Sequence, residues 1–105
     1  MFGCKPFKSN KPPITKNQTF EIDFNQKNVF AGFVFATNLN DDDLKYSIIS
    51  QNTNKAVLHI NEENDNLFLV DYYPKENKKI DPVIAIVEIS DGKETAISII
   101  KIVQN

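Results

Sequence analysis

The length, composition and charge of the chain exclude several classes of protein. Its 105 residues fit one domain with a modest core, and its 41% apolar and 25% charged residues are ordinary for a globular protein. A net charge of −2 gives no basic surface for nucleic acid. The sequence has no run of 18 apolar residues, the length that a transmembrane helix needs.

The first part of the chain, residues 1–13, is predicted to be a tether. Lysine, proline and asparagine dominate it, so it buries little apolar surface and favours extended backbone. The folded domain is expected to occupy residues 14–105.

Cys4 is the only cysteine, so no internal disulfide can form. The letters "MFGC" resemble the end of a bacterial lipoprotein signal, in which the cysteine becomes the lipidated first residue. We therefore expect a lipid at Cys4 that anchors the protein to a membrane without spanning it. An incidental cysteine is the alternative.

Hydrophobic periodicity predicts strands and no helix. Residues 19–24 alternate, with Phe20, Ile22 and Phe24 on one face, which is typical of a half-buried strand. Residues 29–36 are nearly all apolar and predict a fully buried strand. Further strands are predicted at residues 44–50, 56–60, 66–70, 82–90 and 95–103.

The segments between the strands have turn composition. Asp91-Gly92 between two apolar runs predicts a tight hairpin, because glycine accepts a positive φ at little cost. Residues 71–81 predict a longer exposed insertion. Seven short strands in about 90 residues favour an all-β fold, a seven-strand antiparallel Greek-key β-sandwich.

Four segments of the chain resemble a bacterial cadherin-like repeat, and together they span roughly residues 12–103. The most recognisable parts are the Tyr-Ser-Ile strand that begins at Tyr46 and the Ser-Asp-Gly turn that begins at Ser90. The resemblance implies a cadherin/immunoglobulin-like sandwich that acts as an adhesion or spacer module. The four segments are "PPITKNQTFEID", "ATNLNDDDLKYSI", "HIN" and "VEISDGKETAISIIKI".

The resemblance also implies positions for calcium ligands, and most of them are neutral here. The family's first glutamate falls at Phe24, beside Asn25, and its Asp-x-Asp pair falls at Asn38 and Asn40. Asparagine supplies a neutral oxygen, and calcium affinity depends on the number of carboxylates.

Three acidic positions remain as degenerate calcium candidates. Asp71 is retained, but Tyr73 stands where the family has an accompanying glutamate, and Asp91 also suits the hairpin. Asp42 lies in the Asp41–Asp43 run, where a solvated turn is the simpler interpretation and a weakly held calcium ion is the alternative. We therefore expect no cofactor, with weak calcium binding as the alternative.

The sequence offers little for catalysis and one candidate for binding. His59, the only histidine, lies in a predicted strand without a recognisable catalytic partner, so no enzyme is predicted. Tyr72 and Tyr73, adjacent and followed by proline, are the candidate contact for a glycan or a protein partner.

The leading functional interpretation is a non-catalytic module of the cell envelope or surface that is tethered through Cys4. It would contact a protein partner, in adhesion or as an accessory subunit of a larger envelope complex, and an outer-membrane lipoprotein is the expected location. The alternative is a carbohydrate-binding module that uses the aromatic loop of Tyr72 and Tyr73. No nucleic-acid partner is expected, and the lipid would be the only membrane contact.

Overall fold

The computed structural model describes residues 11–39, 43–73 and 81–105. These residues form strands and connecting turns, and the all-β class is confirmed. The strands are β1 (Ile14–Thr15), β2 (Gln18–Ile22), β3 (Val29–Phe33), β4 (Ala36–Thr37), β5 (Lys45–Gln51), β6 (Ala56–Ile60), β7 (Asn66–Tyr72), β8 (Val83–Ser90) and β9 (Thr95–Gln104).

The strands form two main sheets that pack as a sandwich. One sheet has four strands in the order β2-β9-β8-β5, and the other has three in the order β3-β7-β6. A short ladder joins β1 to β4. The chain passes between the two sheets four times, after β2, between β3 and β5, after β5 and after β7, which is the Greek-key pattern that the spacing of the strands predicts.

The pairing differs from the predicted antiparallel sandwich at one place. Strand β2 pairs in parallel with β9, the last strand, and the other strand pairs are antiparallel. A parallel pair is available here because β2 and β9 are far apart in sequence, so no tight turn has to join them. Periodicity within a strand carries no information about the direction of its neighbour.

The first strand of the sandwich is divided between the short β1–β4 ladder and the four-stranded sheet, and side chains connect it to both main sheets. Gln18 donates its amide Nε2 to the Phe33 carbonyl at 3.0 Å and accepts the Phe35 backbone N–H at 2.8 Å. Asn17 accepts the Ile99 backbone N–H at 2.9 Å, from the other sheet. These amide side chains pair backbone groups that the ladders leave without partners.

A buried serine also bonds the first strand to β9. Ser98 is fully buried in β9, and its hydroxyl donates to the Lys16 carbonyl at 2.8 Å. Since a buried hydroxyl without a partner would be costly, this bond explains why a serine occupies a core position.

The core lies between the inward faces of the two sheets and is aliphatic. Alternate residues of β7, β8 and β9 point into it, as the predicted two-residue period requires. The fully buried aliphatic residues are Val34, Leu67, Leu69, Val83, Ala85, Val87, Ile89, Ile100 and Ile102.

The prediction that residues 29–36 form one fully buried strand is wrong. The segment divides into β3 and β4, and a bulge interrupts β3 between Phe30 and Gly32. A Cβ at Gly32 would lie 2.6 Å from the Phe20 ring, so the close approach of β3 to that ring requires glycine. Phe30, Phe33 and Phe35 face solvent and are 41%, 58% and 39% exposed.

The two ends of the sandwich carry different turns. The predicted Asp91-Gly92 hairpin is confirmed, with Gly92 at φ 96°, and the turns at residues 61–65 and 91–94 lie at the same end as β1. The turns at residues 23–28 and 52–55 lie at the opposite end, beside Asn105.

We predict that Gln18→Ala destabilises the domain by about 1–3 kcal/mol, because the two hydrogen bonds from its side chain to the Phe33 and Phe35 backbone are lost. Urea unfolding followed by circular dichroism measures the change. Gln26→Ala is the matched control, since Gln26 is exposed in a turn and makes one long bond of 3.3 Å. The control should stay within about 0.5 kcal/mol of the parent. Equal effects of the two substitutions would contradict this role of Gln18.

Candidate functional site

The residues predicted as degenerate calcium ligands do not come together in one place. Asn25 and Asp71 lie at the end of the sandwich that carries Asn105, whereas Asn38 and Asp91 lie at the opposite end. Two further candidates and the predicted lipidation site lie outside the described residues, and they are Asn40, Asp42 and Cys4.

At the Asn105 end, the acidic side chains Asp23 and Asp71 already have hydrogen-bond or ion-pair partners within the protein. Asp23 accepts the backbone N–H of Asn25 at 2.8 Å, and this bond is the main reason that the pKa of Asp23 is lowered. The Lys27 ammonium lies 3.6 Å from the Asp71 carboxylate. A protein cation therefore lies beside Asp71, the carboxylate that this end retains at a position where the resemblance implies a calcium ligand.

Asp71 also accepts hydrogen bonds from two neighbours. Loss of solvent would by itself raise its pKa, but the Tyr72 backbone N–H at 2.8 Å and the Tyr73 hydroxyl lower it, with help from Lys27. The net pKa is below the usual value of an aspartate. The same bond to Asp71 raises the pKa of Tyr73.

At the opposite end, Asp91 is 8% exposed and acts within its own turn. One carboxylate oxygen accepts the backbone N–H groups of Lys93 and Glu94 at 2.8 and 2.7 Å. The carboxylate thus caps the hairpin between β8 and β9, the structural role that the Asp-Gly pair also predicts.

The described residues do not fit a calcium ion. Calcium takes six to eight oxygen ligands, and the Asp71 and Asp91 carboxylates are already bonded to amides, a hydroxyl or an ammonium group. Within residues 11–39, 43–73 and 81–105, no group of three or more His, Cys, Asp or Glu is placed to hold a metal.

The two candidate binding tyrosines do not form a shared platform. Tyr72 is partly buried, and its ring packs on Phe24 with centroids 4.8 Å apart. Tyr73 is 57% exposed, and its hydroxyl is bonded to Asp71. One ring therefore supports the core and the other lies on the surface.

The described surface carries a small cluster of charged side chains and an open polar depression. Lys45 pairs with Glu62 at 3.7 Å and Glu63 at 3.2 Å, and its bond to Glu63 raises the lysine pKa. The depression, about 710 Å³, is lined by residues 51–54 and Ala56. Its Gln51 and Asn52 amides are already bonded to backbone groups, so they do not converge on a ligand.

The outer face of the three-stranded sheet carries three aromatic rings, and two of them lie in the segment 29–36 that the sequence analysis predicted to be fully buried. Phe30 and Phe33 pack edge to face at 4.9 Å, and Phe30 also contacts Phe68 edge to face at 5.6 Å. Phe30, Phe68 and His59 are register partners across β3, β7 and β6. We call Phe30, Phe33 and Phe68 the aromatic face.

The outer face of the four-stranded sheet exposes isoleucines. They lie at the outward positions of β8 and β9, with one more at the bulge of β5. A signal for this face was present in the sequence, because β8 and β9 are apolar at both odd and even positions. We call this set the isoleucine face, and it comprises Ile49, Ile84, Ile86, Ile97 and Ile99.

Comparisons with known proteins identify the fold and no closer relationship. No protein-family model matches the sequence, and no curated protein matches it. Among solved structures, the human desmocollin-1 ectodomain is 20% identical, with 90% of this chain and 20% of that chain covered and a TM-score of 0.69. Drosophila N-cadherin EC1-4 is 16% identical, with 91% of this chain and 25% of that chain covered and a TM-score of 0.73.

A third match, human protocadherin-24 EC1-2, is 15% identical over 92% of this chain and 44% of that chain, with a TM-score of 0.65. The chain thus spans between 20% and 44% of the length of these structures. At such low identity the likeness shows the fold alone, and the fold is the cadherin/immunoglobulin-like β-sandwich. The described residues include no helix with the length and hydropathy needed to cross a membrane.

We predict that calcium leaves the stability of the domain nearly unchanged. Melting temperatures in 5 mM CaCl2 and in 5 mM EDTA should differ by less than about 2 °C, measured by circular dichroism. A specific site filled at a hundredfold excess over its Kd would add about 2.7 kcal/mol. In a domain of this size that stabilisation would raise Tm by about 10 °C or more, and such a rise would contradict the prediction.

Proposed function

We propose that the chain is a non-catalytic module of a bacterial cell envelope or surface that contacts another protein. It would act in adhesion or as an accessory subunit of a larger envelope complex. The observation that carries the proposal is the aromatic face, an exposed apolar surface on a sheet that already has a complete core on its other side.

The aromatic face has the properties of a protein contact. Phe30 and Phe33 are 41% and 58% exposed and lie on β3, an edge strand. Aromatic residues are enriched at protein interfaces, where burying their large rings supplies much of the binding energy. Nearby, the Lys16 ammonium lies 4.8 Å from the centre of the exposed Phe35 ring, which adds a polar rim.

The likeness to cadherin ectodomain structures supports an extracellular or surface location for this proposal. The "MFGC" pattern supports a lipid on Cys4 as the link to the membrane. An outer-membrane lipoprotein combines the two and remains our proposal for the location.

The geometry gives less support to the carbohydrate-binding alternative. Sugars stack on flat aromatic platforms, whereas Phe30 meets Phe33 and Phe68 at interplanar angles of 65° and 63°. The Tyr72 ring packs against Phe24, so it does not lie beside the Tyr73 ring to form a flat platform with it. We therefore favour a protein partner.

We predict that a photoreactive phenylalanine analogue at Phe33 cross-links to one discrete protein in intact cells of the native host. The same analogue at Lys93, exposed in the turn between β8 and β9 and outside both sheet faces, is the matched control and should give no such adduct. Mass spectrometry of the adduct identifies the partner. Adducts that are equal at both positions, or that a glycosidase removes, would contradict a protein contact through the aromatic face.

The lipid on Cys4 is tested separately. Expressed with its native leader in a bacterial host, the protein should partition into membranes and carry the added mass of a diacylglyceryl group. Cys4→Ser should be released into the soluble fraction without that mass. An unmodified Cys4 in a soluble protein would contradict the tether and leave the cross-linking result intact.

A further inference from the structure

The isoleucine face is apolar, although the solvent-facing side of a sheet that packs its other side on the core is expected to be polar. Ile97 and Ile99 on β9 are 46% and 43% exposed, and Ile49 on β5 is 52% exposed. The inward positions of the same strands already fill the core. Since an antiparallel sheet with one solvated face alternates apolar with polar residues, a second apolar face indicates a surface that is covered.

The register of β8 and β9 gives this face a symmetric pattern. Ile86 and Ile99 are cross-strand partners at its centre. On one side of this pair Glu88 stands opposite Ile97, and on the other side Lys101 stands opposite Ile84. The centre is therefore apolar, with one negative and one positive group at diagonal corners.

From this pattern we propose that the isoleucine face binds the same face of a second copy of this chain. The two-fold axis would run parallel to the sheets and across the strands, through the Ile86–Ile99 pair. The isoleucines of the two copies then stack at the centre. Each Lys101 comes beside Glu88 of the second copy, which gives two equivalent ion pairs.

The charges favour a second copy over an unrelated apolar partner. Within the described parts of the chain, neither Glu88 nor Lys101 takes part in an ion pair. A homodimer with this axis supplies each of them with an opposite charge. A two-fold axis that runs along the strands would instead place Glu88 of one copy beside Glu88 of the other. Repulsion between these like charges disfavours that orientation, so electrostatics selects the axis across the strands.

The size of the face sets the strength of the dimer. Four strands about 4.8 Å apart and about eight residues long span roughly 500 Å² of sheet plane. This is below the roughly 800 Å² per partner of a standard stable interface. The dimer should therefore be weak, with a Kd between about 10 µM and 1 mM.

Sedimentation equilibrium of the purified protein from 10 µM to 1 mM measures the association. Ile99→Ser, at the centre of the face, should weaken it by about tenfold or more. Val57→Ser is the matched control, because Val57 is 40% exposed on the other sheet and lies outside the proposed contact. Circular dichroism verifies that both variants fold.

Charge reversal tests the orientation without removing apolar surface. Glu88→Lys and Lys101→Glu each place like charges together and should each weaken association by about tenfold or more. The double variant exchanges the two charges and should restore it. A protein that is monomeric at 1 mM, an Ile99→Ser variant that associates normally, or a double variant that is not restored would overturn the proposal.

Discussion

The sandwich depends on a first strand that is divided between the short β1–β4 ladder and the four-stranded sheet. β1 pairs with β4, and after two residues β2 pairs in parallel with β9. A chain that crosses between sheets leaves backbone groups without ladder partners, and buried or half-buried groups of that kind are costly. Asn17, Gln18 and Ser98 supply the missing partners, so three side chains join the two sheets.

The same principle operates at both ends of the molecule. Phe24 donates its backbone N–H to the Gln104 side chain at 2.7 Å, which ties the turn after β2 to the last strand. The carboxylate oxygens of Asp71 and Asp91 accept hydrogen bonds from backbone N–H groups and a hydroxyl, and Asp71 also pairs with the Lys27 ammonium. At these two positions, where the resemblance implies calcium ligands, the chain uses its own hydrogen bonds. The outer faces of the two sheets carry exposed phenylalanine and isoleucine side chains instead.

Much of the fold could be predicted from the sequence, because it follows from local pattern. The alternation of Phe20, Ile22 and Phe24 and the Asp91-Gly92 turn are local signals, and both describe the structure correctly. The parallel pairing of β2 with β9 and the role of Ser98 depend on residues about 80 positions apart. No periodicity within a strand reports such contacts.

The functional surfaces were harder to predict for a related reason. A run such as residues 29–36 shows that a strand is apolar, but it does not show which residues face the core after the bulge between Phe30 and Gly32. The exposed Phe30 and Phe33 become visible only in three dimensions. The weak calcium binding expected from Phe24, Asn38 and Asn40 at the family's carboxylate positions is a prediction from the sequence, which the melting experiment tests.

The central claim is that side-chain hydrogen bonds, without a metal ion, hold the first strand across both sheets. Native-state hydrogen exchange of the Phe35 and Ile99 amides in EDTA tests it most directly, because these amides donate to Gln18 and Asn17. Both should exchange only through global unfolding, with the free energy that urea denaturation gives. Faster exchange through local opening, or protection that appears only when calcium is added, would contradict the account.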